Sequence, residues 1–275
     1  MKGKSLASIL TKEALTRAYV EQEMSLEKVA ECYHTSIQIV RKYMKIHGIS
    51  ARPPSLSNRK YKFVESSGFL NPVDDWHAYW IGFIAADGHI TNTGFLQIGL
   101  AQSDQNMLEN FLKGVHAENP IYQYKTNNGG MASHVQIRDD KLIESLSKWG
   151  ITPRKSLTIQ WPTTFPIHLY PAFIRGYFDG NGTIFQRYRK AKEHHQGWTE
   201  TSCRFICGSP PFLNELERTL NLHGIITIKQ YQNQGTQAYV LPLSGKKENL
   251  KKFASLIYQD CSICLERKRE IFASL

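Results

Sequence analysis

Trp80-Ile81-Gly82-Phe83-Ile84-Ala85-Ala86-Asp87-Gly88 and Ile174-Arg175-Gly176-Tyr177-Phe178-Asp179-Gly180-Asn181-Gly182 are two copies of one pattern. Asp87 and Asn181 stand 94 residues apart. Each copy reads as a helix: Asp74 or Asp75 can cap the first, and Pro171 sits near N1 of the second. Each carries a small residue four positions after a glycine, Gly82-x3-Ala86 and Gly176-x3-Gly180. Residues at that spacing share a helix face, so two such helices can pack backbone to backbone. Each copy closes on an acid or an amide followed by Gly, the signature of a helix C-terminus.

The segments after each copy repeat as well. After Gly88 come strand-like runs at 89–93 and 95–101, a helix around 105–116, strands at 121–126 and 133–138, and a helix at 140–149. After Gly182 come strands near 183–189 and 202–207, a helix near 211–223, strands near 226–232 and 237–243, and a helix near 247–258. The alternating and helical periods set these assignments. Each half therefore reads αββαββα. The expected fold is α+β, with two pseudo-symmetric halves carrying antiparallel sheets around a paired-helix interface. The halves are placed at 74–168 and 169–275.

From residue 76 onward the sequence closely resembles the LAGLIDADG homing endonuclease family in its single-chain, two-motif form. One such nonapeptide is a weak signal; two, each followed by the same element order, are a strong one. The resemblance implies that each sheet forms a saddle over double-stranded DNA. It implies a divalent cation, Mg²⁺ or Mn²⁺ or Ca²⁺ in its place, held by the last acid of each motif. That residue is Asp87 in the first motif. In the second it is Asn181, where the family has Asp or Glu. The implied metal set is Asp87, Asn181, Ala86 and Gly180. A basic residue late in each half belongs to the same pattern: Pro153-Arg154-Lys155 gives Lys155 and Glu266-Arg267-Lys268 gives Lys268, and these join Asp87 and Asn181 as catalytic candidates.

Physical chemistry adds its own reading of these residues. A carboxylate at a helix C-terminus opposes the macrodipole, so Asp87 stands against local stability. Two-metal phosphodiester chemistry needs cations a few ångströms apart, and helices touching through Gly82, Ala86, Gly176 and Gly180 offer a route to that spacing. Asp179 points about 200° away from Asn181 around a helix and reads as a structural residue. On the strands, Gln97 alternates with Leu96 and Ile98, and Gln136 and Arg138 with Val135 and Ile137. Arg187 and Arg189 share one side, opposite Ile184, Gln186 and Tyr188, and Arg204 alternates with Cys203 and Phe205. Gln and Arg on a strand ribbon read base edges in a major groove. Lys229 joins this DNA-facing set, and the run from Arg187 to Lys192 reads as a loop on phosphates.

Residues 1–50 read as three short helices. Leu15, Ala18 and Tyr19 form one stripe; Ser25 caps a second helix carrying Leu26, Val29 and Ala30. Thr35-Ser36-Ile37-Gln38 reads as a capping box on a third, with Ile37, Val40 and Met44 inward and Gly48 ending it. This spacing resembles the helix-turn-helix of transposases and resolvases. Ser36, Gln38, Arg41, Lys42 and Lys45 would then face DNA. Residues 51–73, with Pro53, Pro54, Arg59 and Lys60, read as a basic linker.

Composition agrees with an anionic partner. The 275 residues carry 34 Lys and Arg against 24 Asp and Glu, a net charge of +10, and a pI near 9.3. Residues 1–60 hold eleven of the basic residues against five acids. Apolar residues at 41% support a folded core. No run of about 18 apolar residues marks a membrane span, and the basic N-terminus lacks an apolar stretch after it, so a cytoplasmic, organellar or nucleoid setting is expected. Cys32, Cys203, Cys207, Cys261 and Cys264 read as reduced thiols; Cys203 and Cys207 would share the buried face of a strand with Phe205, rather than bind zinc. His194-His195 point apart on a strand and do not read as a metal pair.

The expectation is a site-specific DNA endonuclease, monomeric with internal pseudo-twofold symmetry, and impaired or nicking because of Asn181. A non-cleaving DNA-binding regulator and an intron RNA maturase are the alternatives.

Overall fold

The structure, a computed structural model, describes residues 6–22, 24–52, 66–190 and 197–275. The chain divides into two compact units, Met1–Lys60 and Tyr61–Leu275.

In the first unit the helices are α1 (Leu6–Ile9), α2 (Lys12–Leu15), α3 (Leu26–Cys32) and α4 (Ile37–Ile46). Thr11 caps α2 and Ser25 caps α3 by accepting from the N–H three residues on. A π-type turn over Thr16–Glu21 continues α2, with Gln22 N bonding back to Arg17 O. The third helix is capped by Ser36, which accepts from Ile39 N at 3.4 Å. This corrects the expected Thr35 cap: His34 turns the chain at a φ of 48°, and the Thr35 hydroxyl is left buried without a partner. Gly48, at a φ of 67°, ends α4, and Ile49 N closes onto Met44 O at 2.9 Å. Leu15, Ala18, Tyr19, Val29, Ala30, Val40 and Met44 form a core of their own.

Of the expected linker, residues 53–65 lie outside the described residues, Pro53, Pro54, Arg59 and Lys60 among them. The linker ends earlier than expected. Ser67–Leu70 forms a helix, α5, that buries Phe69 completely, and Trp149 Nε1 donates to Phe69 O at 2.6 Å.

The second unit is built on α6 (Asp75–Asp87) and α9 (Tyr170–Asn181). Asp74 caps α6 through His77 N. Apolar side chains surround α6, and residues Ala78 through Ala85 are all buried, as a helix without a polar face requires. Its sheet follows as β1 (His89–Ile90), β2 (Leu96–Ala101), β3 (Tyr122–Lys125) and β4 (Met131–Ile137), in the order β1-β2-β4-β3. Helices α7 (Gln105–Gly114) and α8 (Asp140–Ser147) complete the half. The second half repeats this with β5 (Gly182–Arg189), β6 (Trp198–Cys207), β7 (Tyr231–Gln232) and β8 (Tyr239–Pro242), ordered β5-β6-β8-β7. Its helices are α10 (Pro210–Leu222) and α11 (Lys247–Tyr258), and all pairings in both sheets are antiparallel.

Three local readings need correction. The strand expected over 226–232 survives only as Tyr231–Gln232 and a bridge from Thr227 to Leu243. The buried Asn249 amide takes the place of a neighbouring strand there, accepting from Ile226 N and donating to Ile226 O and Ser244 O. A further helix, α12 (Glu266–Ala273), comes after α11; its charged run hides the period that Phe272 anchors in the core. Gly88 and Gly182 close the motif helices in extended conformation, at φ of −71° and −79°, not in the left-handed region. Glycine is needed there for closeness: a Cβ would run into Ile84 at one end and Phe178 at the other.

Candidate active site

The two motif helices meet through their glycines. A Cβ on Gly82 would overlap the Phe173 carbonyl oxygen, and one on Gly176 would overlap that of Tyr79. One turn on, a Cβ on Gly180 would come 2.6 Å from Ala86 Cβ and 3.5 Å from Asp87 Cβ. Glycine thus removes the side chains that would hold the helices apart, and Asp87 comes to lie against the end of the opposite helix. Arg175 ties the seam from its buried position. Its guanidinium pairs with Asp75 of α6 at 2.5 Å and donates to Ile257 O and Ile263 O. Asp179 is buried and fully occupied: it accepts from Tyr79 of the other motif helix, from Tyr258 and from Leu265 N, at 2.7–3.0 Å. It is the structural residue that its position on the helix suggests.

Asp87 opens onto a cleft of about 420 Å³ that His89, Gln97, Asp104, Tyr124 and Arg267 also line. Crowding by its walls pushes the Asp87 carboxyl up to about 6, against the pull of the Lys155 and Lys268 ammonium groups. Both lysines are buried. Burial pulls Lys155 down to about 8 while Asp87 opposes the shift; burial pulls Lys268 to about 8 while Asp179 opposes it.

Their hydrogen bonds differ. Lys155 Nζ donates to Gly88 O at 2.5 Å. Lys268 Nζ donates to Phe178 O, Asp179 O and Gly182 O at 2.6–2.8 Å. An ammonium has three protons, so Lys268 is saturated by the carbonyls at the end of α9. It adds a donor to the carbonyls at the helix C-terminus, where Phe178 O also accepts from Gly182 N.

The open faces of the two sheets differ as well. Cross-strand register places Gln97 opposite both His89 and Gln136, and Gly99 opposite His134. Tyr122 and Tyr124 pack on His134, with ring centroids 5.5 and 5.3 Å apart. Arg138 lies just beyond β4, with its guanidinium 5.5 Å from the Phe95 ring. On the second sheet, Arg187 and Arg189 belong to β5, which corrects the expected loop; they pair with Glu200 and Trp198. Residues 191–196, including Lys192, His194 and His195, lie outside the described residues. Arg189 Nε bonds Glu200 at 2.6 Å, and Arg204, opposite Thr183, lies 5.8 Å from the Phe185 ring. Gln186 faces the other way and donates to Ser274, just past the end of α12. Lys229 is exposed in the irregular segment before β7.

In the first unit Ser36 is the N-cap of α4, and Gln38, Arg41, Lys42 and Lys45 are exposed on that helix. Cys203 and Cys207 are buried core residues, as expected, and among the described residues no three His, Cys, Asp or Glu side chains converge. Sequence reading missed His89, Asp104, Arg267 and the tyrosines. For Arg267 a signal existed: both halves carry Arg immediately before the buried lysine, Arg154-Lys155 and Arg267-Lys268.

Residues 169–258 match the family model described as a LAGLIDADG-like domain. Among solved structures, meganuclease I-SmaMI bound to uncleaveable DNA aligns with 74% of this chain and 88% of its own, at 11% identity and a TM-score of 0.51. Meganuclease I-AabMI bound to uncleaved DNA aligns with 73% of this chain and 88% of its own, at 11% identity and 0.48. Full-length DUF199/WhiA from Thermatoga maritima aligns with 76% of this chain and 63% of its own, at 14% identity and 0.47. A comparison with curated proteins gives no match. The likeness to I-SmaMI is one of fold, and the family match covers the second motif helix and the elements that follow it.

Proposed function

We propose that this protein of two-motif LAGLIDADG architecture is a site-specific DNA endonuclease reduced to one working half, which cuts one strand of its target. The observation that carries the reading is the unequal pair at the seam. Asp87 and Asn181 end the two glycine-packed helices, and only Asp87 bears a charge.

The donors at this place suit a hard divalent cation. The Asp87 carboxylate and the backbone oxygens of Ala86 and Gly180 are oxygen ligands, and the Asn181 amide, which bonds the Tyr177 hydroxyl on its own helix, joins them as a fourth by turning toward the cleft. A cation there supplies Lewis-acid polarisation of a phosphate. The remaining work belongs to the chain. Lys155 keeps a positive charge beside Asp87, placed to balance charge on a phosphodiester. Lys268 holds the end of α9 and has no proton to offer. Arg187, Arg189 and Arg204 grip phosphates from the second sheet, and Gln97 and Gln136 present amides to base edges from the first. The basic helix α4 adds a second DNA contact through Gln38, Arg41, Lys42 and Lys45. Deleting residues 1–58 should shorten the footprint and flatten the salt dependence of binding; an unchanged footprint contradicts that role.

The test is a supercoiled plasmid bearing the duplex that the protein selects from a random library. With Mg²⁺ we expect nicked circles, and linear product from Asn181→Asp. A specific observation favours a second reading, a non-cleaving DNA-binding regulator: the second half has lost both its carboxylate and a lysine able to give a proton. If Asn181→Asp binds the selected site and leaves it uncut, that reading replaces the endonuclease.

A further inference from the structure

Arg267 belongs to the second half but lies in the cleft of the first. It stands at the start of α12, and its Nε donates to both carboxylate oxygens of Asp104, at 3.0 and 3.3 Å. Asp104 ends the turn between β2 and α7 and is buried, with its side chain 8% exposed. The Arg267 side chain is 55% exposed and shares the cleft with Asp87. A guanidinium held through Nε keeps its two terminal nitrogens for another acceptor, and their fork matches phosphate oxygens. A buried carboxylate makes a firm anchor, because leaving it unpaired is costly.

The counterpart in the other half lacks the anchor. Arg154 precedes Lys155 as Arg267 precedes Lys268. The segment after Lys155 crosses the seam too: a Cβ on Gly208 of the second half would overlap Ser156 O. But the turn before α10 offers Ser209, buried and uncharged, where the turn before α7 offers Asp104. One arginine of the pair is therefore aimed by a carboxylate and the other is not.

We propose that Arg267, contributed by the second half and aimed by Asp104, binds a single backbone phosphate of the DNA in the cleft before Asp87. Asp104 is a positioning residue for it. This rests on the DNA-binding reading above. The aimed arginine sits on the side that keeps its carboxylate, so it serves the strand that Asp87 addresses.

The experiment uses the full chain and the duplex it selects from a randomised library, with methylphosphonate placed at one central phosphate at a time. Neutralising the contacted phosphate should weaken wild-type binding about tenfold or more, the scale of one charge-assisted hydrogen bond. Arg267→Gln should lose sensitivity at that phosphate and keep it at the others. Arg267→Gln with Asp104→Asn removes both charges together and guards against loss through an unpaired buried carboxylate. It should show the same single loss. Asp104→Asn alone should weaken the effect at the same phosphate while sparing its neighbours. A purely structural pair would shift all phosphates alike. If the double variant keeps the full wild-type pattern, or loses it evenly, Arg267 is not the contact and the DNA-binding reading stands. If the wild-type protein selects no duplex, that reading falls and this inference with it.

Discussion

The two halves share a topology and divide the chemistry unequally. The first keeps a carboxylate at its motif end, a lysine with one carbonyl partner beside it, and a sheet face of glutamine, histidine and tyrosine. The second ends its motif in an amide, ties its lysine to three carbonyls, and carries arginines on its sheet. A pseudo-twofold fold needs both halves for packing, because each motif helix is the other's core. It does not need both for reactivity. Once the helices interlock, one end can lose its charge without disturbing the seam, since an amide is close in shape to a carboxylate.

The largest expected effect tests the shared part. Gly176→Leu must displace the Tyr79 carbonyl, an obstacle of backbone and not of flexible side chain. The destabilisation should reach or exceed the scale of core overpacking, about 1–3 kcal/mol, read as a drop in the denaturation midpoint. Gly180→Ala, facing the Ala86 methyl, should be milder. Equal effects would mean the seam is not closest at Gly176.

Next comes the difference between the lysines. Lys268→Met takes a donor from three carbonyls at the end of α9, of which Phe178 O keeps its bond from Gly182 N, and should destabilise by about 2–3 kcal/mol; Lys155→Met takes a donor from one and should destabilise by about 1 kcal/mol. Urea unfolding of the two variants measures the gap. A Lys155→Met effect as large as that of Lys268→Met would remove the contrast between a structural lysine and one left available for chemistry.

The smallest effects lie on the sheet faces. Changing Arg187, Arg189 and Arg204 to Gln should reduce the salt slope of DNA binding by about 0.9 for each phosphate that is no longer neutralised. Changing Gln97 and Gln136 to Ala should leave the slope alone and alter which duplex is selected. Equal slopes for both sets would say that the two faces grip alike.

Much of this was legible in the sequence. The twin motifs, with small residues four apart, announce helices that touch, and the element order after each copy gives both halves. Asp87, Lys155 and Lys268 come from the resemblance to the family, and the fold brings both lysine charges to bear on Asp87. The features that stayed hidden depend on approaches between distant segments. Asp104 reads as an ordinary turn residue until Arg267 arrives from 163 positions away. The saturation of Lys268 needs three carbonyls brought together by the end of α9. Helix α12 is masked because Glu266 through Glu270 are all charged, and its burial rests on Lys268 and Phe272. The cap of α4 moved by one residue because the turn at His34, not the Thr35 side chain, sets where the helix begins.

The central claim is that one half reacts and the other holds. Strand-resolved cleavage tests it most directly, with the selected duplex labelled on each strand in turn and incubated with Mg²⁺. We expect wild-type protein to cut one strand only, Asn181→Asp to cut both, and Asp87→Asn to cut neither while still binding. Equal cleavage of both strands by the wild-type protein, or cleavage that survives Asp87→Asn, would contradict it.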